Sequence, residues 1–357
     1  MAAVGEASNT IETGEIDGSL TTAGQLFLWF PVGLAARRVC QHLAQIGCNF
    51  NTTWTGAVTV EAPNGYPDEL IAELGELLSP HESADTRCVF KAGYDDLDVE
   101  DIARVRTIDE LHQLRRSSWF VDILRDDRLT SVFQPIVLAS ETSKVFGHEA
   151  LMRGIGDDGS TLSAARLLEA ARTCGMMPEL DCAARRSAIA IAANQEERRP
   201  LFINFTAEAL RDGARSLAPT IRAMEFAEIP RERVIFELID AERSVDVNQL
   251  RTVVDSVRAE GFRVAFDDIG VEEHSRRLIH TVRPDYIKVD MQRMRGASEP
   301  MRDDAERLFS LAQTLKIETI AEGVETSEEL AWNRARGATY VQGFYIARPG
   351  ELGSSIL

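Results

Sequence analysis

The chain has 357 residues, 44% of them hydrophobic and 27% charged, and its 57 acidic against 39 basic side chains give a formal net charge of −18. That excess of acid excludes a non-specific nucleic-acid binder or a protein held to an anionic membrane surface, since both need clustered Lys and Arg to displace counterions. Five cysteines (Cys40, Cys48, Cys88, Cys174, Cys182) are odd in number, widely spaced and without a CxxC, which argues against a disulfide framework or a thiolate zinc site and for a reducing, cytoplasmic setting.

The first 22 residues are polar and rich in Gly, Ser and Thr, with neither the basic nor the apolar region of a signal peptide, and read as a flexible tail. The most apolar segment, "LFLWFPVGLAA" (26–36), is too short for a membrane span and contains a proline. Over 23–95 the order is strand ("QLFLWF"), helix ("VGLAARRVCQHLAQIG"), strand ("TTWTGAVTVEA"), helix ("PDELIAELGELLS"), strand ("RCVFKA"). This predicts a small α+β module with no catalytic constellation; a sensor, a dimerisation unit and a partner-docking surface all remain open for it. Residues 96–128 carry Ile, Leu, Trp, Phe and Val at helical spacing and are expected to form a one- or two-helix connector whose apolar stripe serves packing.

From 129 to 357 the rhythm changes. Short apolar runs ("SVFQPIVLAS", "KVFGHEALMR", "LFINFT", "RVIFELI", "RVAFDDI", "YIKVD", "ETIAEGV", "YVQGFYIA") alternate with amphipathic segments, about eight strands with helices between them. That is the pattern and size of a TIM-like (β/α)8 barrel, with a doubly wound open sheet as the competitor. The polar residues decide between them. Nearly every apolar run finishes on a carboxylate, amide or amine: Glu149, Asn204, Glu237, Asp267 and Asp268, Lys288 and Asp290, Glu322 and Glu325, Gln342. One acid at a strand end is an ordinary helix cap, but recurrence at almost every end is poorly explained by independent capping. In a barrel these ends converge on one mouth and form a cavity lined with oxygen donors and one ammonium group.

Oxygen donors without His or Cys suit a hard cation, Mg²⁺ or Mn²⁺ rather than Zn²⁺. Adjacent carboxylates such as Asp267 and Asp268 repel unless a cation lies between them. Where a strand is ending both can reach one cavity, Asp267 bridging two ions and Asp268 binding one. Such an ion pair is a standard device for cleaving a phosphodiester.

The motifs "FQPIV", "HEALMR", "LFINF", "FEL", "FDD", "YIKVD", "AEGVET" and "VQGFYIARP", in this order from Val132 to Pro349, resemble those of the EAL-domain family of bacterial cyclic di-GMP phosphodiesterases and receptors. The resemblance implies a barrel whose first strand is antiparallel to the rest, two divalent cations, and hydrolysis of cyclic di-GMP to linear pGpG. By position it makes Glu149, Asn204, Glu237 and Asp267 ligands of one cation, and Asp267, Asp268 and Glu322 ligands of the second. It has Lys288 polarise the attacking water, Glu322 serve as general base, and Gln134, Leu151, Arg153 and Gln342 contact the nucleotide. Asp240, Asp290 and Glu325 would anchor loops or support the inner ligands, and pairing into a homodimer is common in the family. The chain departs from the family after the acid pair. Where active members read Phe-Gly-Thr-Gly-Tyr-Ser-Ser, it reads "IGVEEHS" (269–275), with Glu272 at the second glycine, and Asp240 stands where a loop-anchoring glutamate is usual. A catalytically weak receptor for the same nucleotide is therefore the alternative to the enzyme.

Several other features promise less. "GIGDDG" (154–159) spells GxGxxG, but two aspartates fill the positions where a pyrophosphate needs bare amides, so a turn into a helix capped by Ser163 is expected. His148 would face away from Glu149 in a strand, and His274 and His280 are expected in solvated or capping positions. No GxSxG, HExxH or P-loop signature occurs.

Overall fold

The computed structural model describes residues 22–31, 33–53, 56–206, 217–239, 247–295 and 299–353; the tail predicted over 1–22 therefore lies almost entirely outside them. The chain forms two compact units, Met1–Ser118 and Trp119–Leu357.

In the first unit, strands Gly24–Trp29, Phe50–Thr52, Val58–Ala62, Arg87–Ala92 and Arg106–Thr107 make one antiparallel sheet with Gly24–Trp29 in the middle. The first four strands with helices Gly33–Gln45 and Asp68–Leu77 follow the β-α-β-β-α-β order of a split βαβ fold. Alternation in Gly24–Trp29 turns Leu26 and Leu28 to one face, where Ala35, Val39 and Leu43, one helical turn apart, and Leu70, Ile71 and Leu74 cover them. The predicted connector contains three helices, Val99–Ala103, Ile108–Arg116 and Ser118–Arg125, with the unit boundary at the start of the third. The first two open on reciprocal capping boxes, Asp98 with Asp101 and Thr107 with Glu110.

The second unit is a closed eight-stranded barrel: β1 (Leu129–Leu138), β2 (Val145–Ile155), β3 (Leu201–Thr206), β4 (Val234–Ile239), β5 (Arg263–Phe266), β6 (Tyr286–Asp290), β7 (Glu318–Glu322) and β8 (Tyr340–Val341). Strands β2 to β8 run parallel in sequence order, and β1 closes the ring antiparallel to both β2 and β8. Closure excludes the open sheet. The GxGxxG stretch is the turn between β2 and a short return strand, Thr161–Leu162; Ser163 then caps helix Ala164–Cys174 by accepting from the Arg166 N–H.

Strand alternation divides the barrel interior into two layers. Ile136, Phe202, Ile235, Ala265, Tyr286, Ile320 and Tyr340 meet as an apolar floor, closed by Phe146 stacked on Tyr340 at 4.0 Å between ring centroids. Two residues on toward the mouth, on the same side of each strand, stand Gln134, Asn204, Glu237, Asp267, Lys288, Glu322 and Gln342. A period of two thus seats one polar side chain above one apolar side chain on seven of the eight strands. Among the described residues no helix is long and apolar enough to cross a membrane.

A buried ion pair braces the wall beside this layer. Arg185, on helix Met177–Asn194, is 1% exposed. Its Nη1 donates to Asp181 Oδ2 at 2.7 Å, its Nε donates to Thr220 Oγ1 at 2.9 Å, and its guanidinium lies 4.5 Å from the Phe205 ring centroid. Asp181 Oδ2 also accepts from the backbone N–H and hydroxyl of Thr206, at the end of β3, both at 3.3 Å. Removing one partner of a buried pair strands the other charge, so Asp181→Ala should cost about 3–5 kcal/mol of unfolding free energy in urea titrations. A loss under about 1 kcal/mol, the size expected of an exposed pair, would show that the brace carries little.

Candidate active site

Backbone register assembles the polar layer. Glu149 is level with Gln134 on β1 and Phe202 on β3, and Glu237 is level with Asn204 on β3 and Ala265 on β5. β5 stops at Phe266, and the Asp267 N–H donates to Leu238 O of β4 at 3.2 Å. Asp268 then takes a left-handed turn at φ 53°, a conformation that Asp tolerates better than most residues, and the Ile269 N–H donates to Lys288 O of β6 at 3.1 Å.

Lys288, 1% exposed, stands at the centre. Its ammonium lies 3.2 Å from Glu149 Oε2, 3.2 Å from Glu237 Oε1, 3.1 Å from Asp267 Oδ1 and 3.1 Å from Glu322 Oε2. Four carboxylates from four different strands or strand ends thus share one buried cation. With all four ionised the cluster would hold three negative charges in excess, so the protons redistribute. Burial pushes Glu322 up to about 8, with Asp267 and Glu149 adding to it against the pull of Lys288. Burial and the neighbouring Glu149 hold Glu237 well above the usual carboxylate range. Burial would raise Glu149 too, but Lys288 and the Gln342 amide outweigh it and keep that carboxyl below its ordinary value. Burial alone would lower Lys288; the four acids instead push it well above the ordinary lysine range. The ammonium is therefore held charged, and Glu322 keeps its proton more tightly than an ordinary carboxyl.

An amide chain fixes Glu149 from the other side. Gln342 Nε2 donates to Glu149 Oε2 at 2.6 Å and to Gln134 Oε1 at 3.0 Å, while Gln134 Nε2 donates to Ala347 O at 3.0 Å. Gly343 must be glycine, because a Cβ there would lie 2.1 Å from Val324 O. That close approach keeps Gln342 level with the end of β7. Leu151 and Arg153 lie two and four residues beyond Glu149 on β2, so they share its face nearer the mouth; both are half-buried, and Arg153 Nη1 donates to Met152 O at 2.7 Å.

The remaining expected residues sit around this centre. Asp290 Oδ1 accepts from the Gln292 N–H and caps helix Met291–Met294. Glu325 pairs with Arg295 at 3.2 Å. Arg295 itself was not singled out from the sequence, although its Nη2 donates to Gly323 O at 2.8 Å and its Nε to Glu329 Oε1 at 2.8 Å, tying the segment after β6 to the residue that follows Glu322. No local pattern marks it, since its partners lie 28 to 34 residues away. Asp240 lies outside the described residues. His148 packs on the opposite face of β2 from Glu149, 3.3 Å from Glu197, and His274 and His280 are exposed. In the altered loop Glu272 has φ −68° and serves as the N-cap residue of helix Glu273–Val282, so glycine's conformational freedom is not needed at that position.

The donor set suits a hard divalent cation in kind: carboxylates and one amide oxygen, with no thiolate or imidazole. Glu237 points the same way, being 0% exposed, with neither carboxylate oxygen accepting a well-formed hydrogen bond among the described residues and Oε1 3.2 Å from the Lys288 ammonium. As they stand, no three His, Cys, Asp or Glu side chains among the described residues close on a single metal position. Their spacing is set by the ammonium between them, so admitting an ion requires the acids or Lys288 to re-aim.

Comparison with known proteins finds that the family model of the EAL domain matches residues 112–349. The chain is 29% identical over 233 residues to the cyclic di-GMP phosphodiesterase NbdA of Pseudomonas aeruginosa, an alignment that takes in 63% of this chain but only 29% of that protein. Among solved structures it is similar to a standalone EAL protein from Vibrio cholerae O395 in its c-di-GMP-bound form, with a TM-score of 0.52 and 31% identity over 64% of this chain and 95% of that one. The Bacillus subtilis YkuI structure, a complex with c-di-GMP and calcium, aligns at TM-score 0.57 and 24% identity over 66% of this chain and 60% of that one.

Replacing Lys288 with methionine keeps most of the stem but leaves two buried and two half-buried carboxylates without their cation. Chelator-treated Lys288→Met protein is expected to lose about 3–5 kcal/mol of stability, measured by chemical denaturation. An unchanged denaturation midpoint would mean that the acids do not depend on the ammonium.

Proposed function

Because this chain belongs to the EAL-domain family, we propose that it hydrolyses cyclic di-GMP to linear pGpG, using Mg²⁺ or Mn²⁺ held by Glu149, Asn204, Glu237, Asp267, Asp268 and Glu322. The observation that carries the reading is the gathering of Glu149, Glu237, Asp267 and Glu322 within 3.2 Å of one buried ammonium at the C-terminal mouth of the barrel. A receptor needs only to bind its nucleotide; a centre with this density of acids around one ammonium fits proton transfer during hydrolysis. Bound divalent ions would supply Lewis-acid stabilisation of the phosphoryl oxygens and ease ionisation of the attacking water.

The chain's own residues account for the remainder. Arg153 and Gln134 stand toward the mouth and at its wall, where a guanidinium fork meets a phosphate and an amide meets a base or ribose. Lys288 donates to the attacking water and orients it toward phosphorus. Glu322, in its ionised form, accepts the proton that the water gives up as its oxygen bonds to phosphorus. The bond from phosphorus to the 3′-oxygen breaks, and that oxygen takes a proton from solvent, leaving a 5′-phosphate and a free 3′-hydroxyl on pGpG. The apolar floor of Phe202, Ile235, Tyr286 and Tyr340 seals the lower end of the barrel against water.

Purified protein incubated with cyclic di-GMP and Mn²⁺ or Mg²⁺ should release pGpG on chromatography, and Glu149→Ala should lower kcat at least 100-fold, about the loss expected when preorganised charge stabilisation is removed. Tight nucleotide binding with no product in either metal would instead favour the receptor. Neither binding nor product would end the functional reading while leaving the fold intact.

A further inference from the structure

The turn that carries Asp267 and Asp268 is gripped by backbone on two sides, and one side chain ties down the loop beyond it. Two neighbouring strands grip it by backbone: Asp267 N–H on Leu238 O and Ile269 N–H on Lys288 O. Past that point the chain is seated by Ile269 and Val271, 1% and 6% exposed in the main barrel core. Asp268 sits at φ 53°, and a non-glycine residue keeps such a backbone only where its surroundings over-determine it.

At the far end of the loop the Val271 carbonyl accepts from Arg276 Nη1, and the same nitrogen lies 3.1 Å from Asp304 Oδ1 on helix Glu299–Leu315. The Arg276 backbone N–H donates to Glu272 O at 3.2 Å, the first turn of helix Glu273–Val282. Arg276 therefore joins three pieces: the loop, its own helix and helix Glu299–Leu315. Its side chain is 19% exposed, so water competes only weakly for the carbonyl. Other charges nearby are Arg307, whose Nη1 is 3.4 Å from the same Asp304 oxygen, and Glu272, whose Oε2 accepts from Ser275 Oγ at 3.5 Å and lies over Gly270.

We propose that Arg276 is a positioning residue for the Asp267–Asp268 pair. Its guanidinium, locked between the Val271 carbonyl and Asp304, sets where the loop ends and so fixes the left-handed turn that aims both acids. This inference rests on the hydrolytic reading above. A planar guanidinium holds two acceptors at fixed angles, which neither an aliphatic side chain nor the point charge of a lysine reproduces. Supporting groups of this kind alter metal affinity or activity by about 10–100-fold when lost.

The test compares wild type with Arg276→Ala, Arg276→Lys and Asp304→Asn, measuring Mn²⁺ affinity from the EPR signal of free Mn²⁺, kcat and KM for cyclic di-GMP, and the thermal midpoint. Arg276→Ala should weaken Mn²⁺ binding and lower kcat by about 10-fold or more while KM moves much less, and Arg276→Lys should recover part of the loss. Asp304→Asn should act in the same direction more weakly, and combining it with Arg276→Ala should add nothing further. A fall in thermal midpoint with Mn²⁺ affinity and kcat left at wild-type levels would overturn the proposal, reducing Arg276 to a structural contact. If Arg276→Ala does not fold, the lysine and Asp304 variants decide by the same two readouts. Wild-type protein that neither binds Mn²⁺ nor forms pGpG overturns the hydrolytic reading and this proposal with it, whereas an active wild type with indifferent variants overturns this proposal alone.

Discussion

One buried ammonium among four carboxylates, two of them buried and two half-buried, is the interaction on which the rest of the barrel depends. Its like charges could not be gathered in a low-dielectric interior without a cation, because each pair repels and each acid loses its hydration. Lys288 meets that need from β6, and its equal reach to Glu149, Glu237, Asp267 and Glu322 sets their mutual spacing. The remaining imbalance raises the proton affinity of Glu237 and Glu322, while Glu149, which also receives the Gln342 amide, is held below its ordinary value. Chemically similar acids thus acquire different roles from their positions around one nitrogen.

The fold delivers these groups by alternation. A side chain two residues from an apolar floor residue lies on the same side of its strand and one layer nearer the mouth, so the sequence needs only a polar residue at that offset on successive strands. Above the strands, arginines tie down the segments that alternation no longer controls. Arg295 holds Gly323 O beside Glu322, Arg276 holds Val271 O beyond the acid pair, and Arg185 braces the end of β3 through Asp181. Each sets a guanidinium on a carbonyl or carboxylate, Arg185 and Arg295 through two nitrogens and Arg276 through one, in a place where hydrophobic packing gives little angular control. The N-terminal unit follows a different logic, with two helices covering one sheet face and reciprocal caps starting its short helices.

Much of this was legible along the chain. The run "RCVFKA" is a strand over just those residues, and "LFINFT" and "YIKVD" likewise. The choice of a barrel over an open sheet followed from polar residues at the strand ends, and the closed ring with an antiparallel first strand agrees with it. The segment 96–128 was harder to read. A helical stripe of Ile, Leu, Trp and Phe reveals burial but not how many helices share it, and the caps at Asp98 and Thr107 were the local signs of the additional break. Glu272 shows the opposite limit. Glu272 stands where the family has a glycine, yet it has an ordinary extended conformation, and the left-handed position is Asp268 instead.

What the sequence determined by itself is the inventory and its order: eight apolar runs with period-two spacing, a hard-oxygen donor at most of their ends, and one lysine, Lys288, among those end residues. Those follow from local chemistry, because hydrophobic alternation and side-chain donor type are properties of neighbouring residues. Only the tertiary structure decided that Lys288 would become the shared counter-ion, that Glu322 and Glu149 would hold their protons so differently, and that Arg276 and Arg295 would lock the loops. Each of these depends on distances between strands and helices far apart in sequence, and Coulombic and desolvation energies act through space, where spacing along the chain carries no information about them.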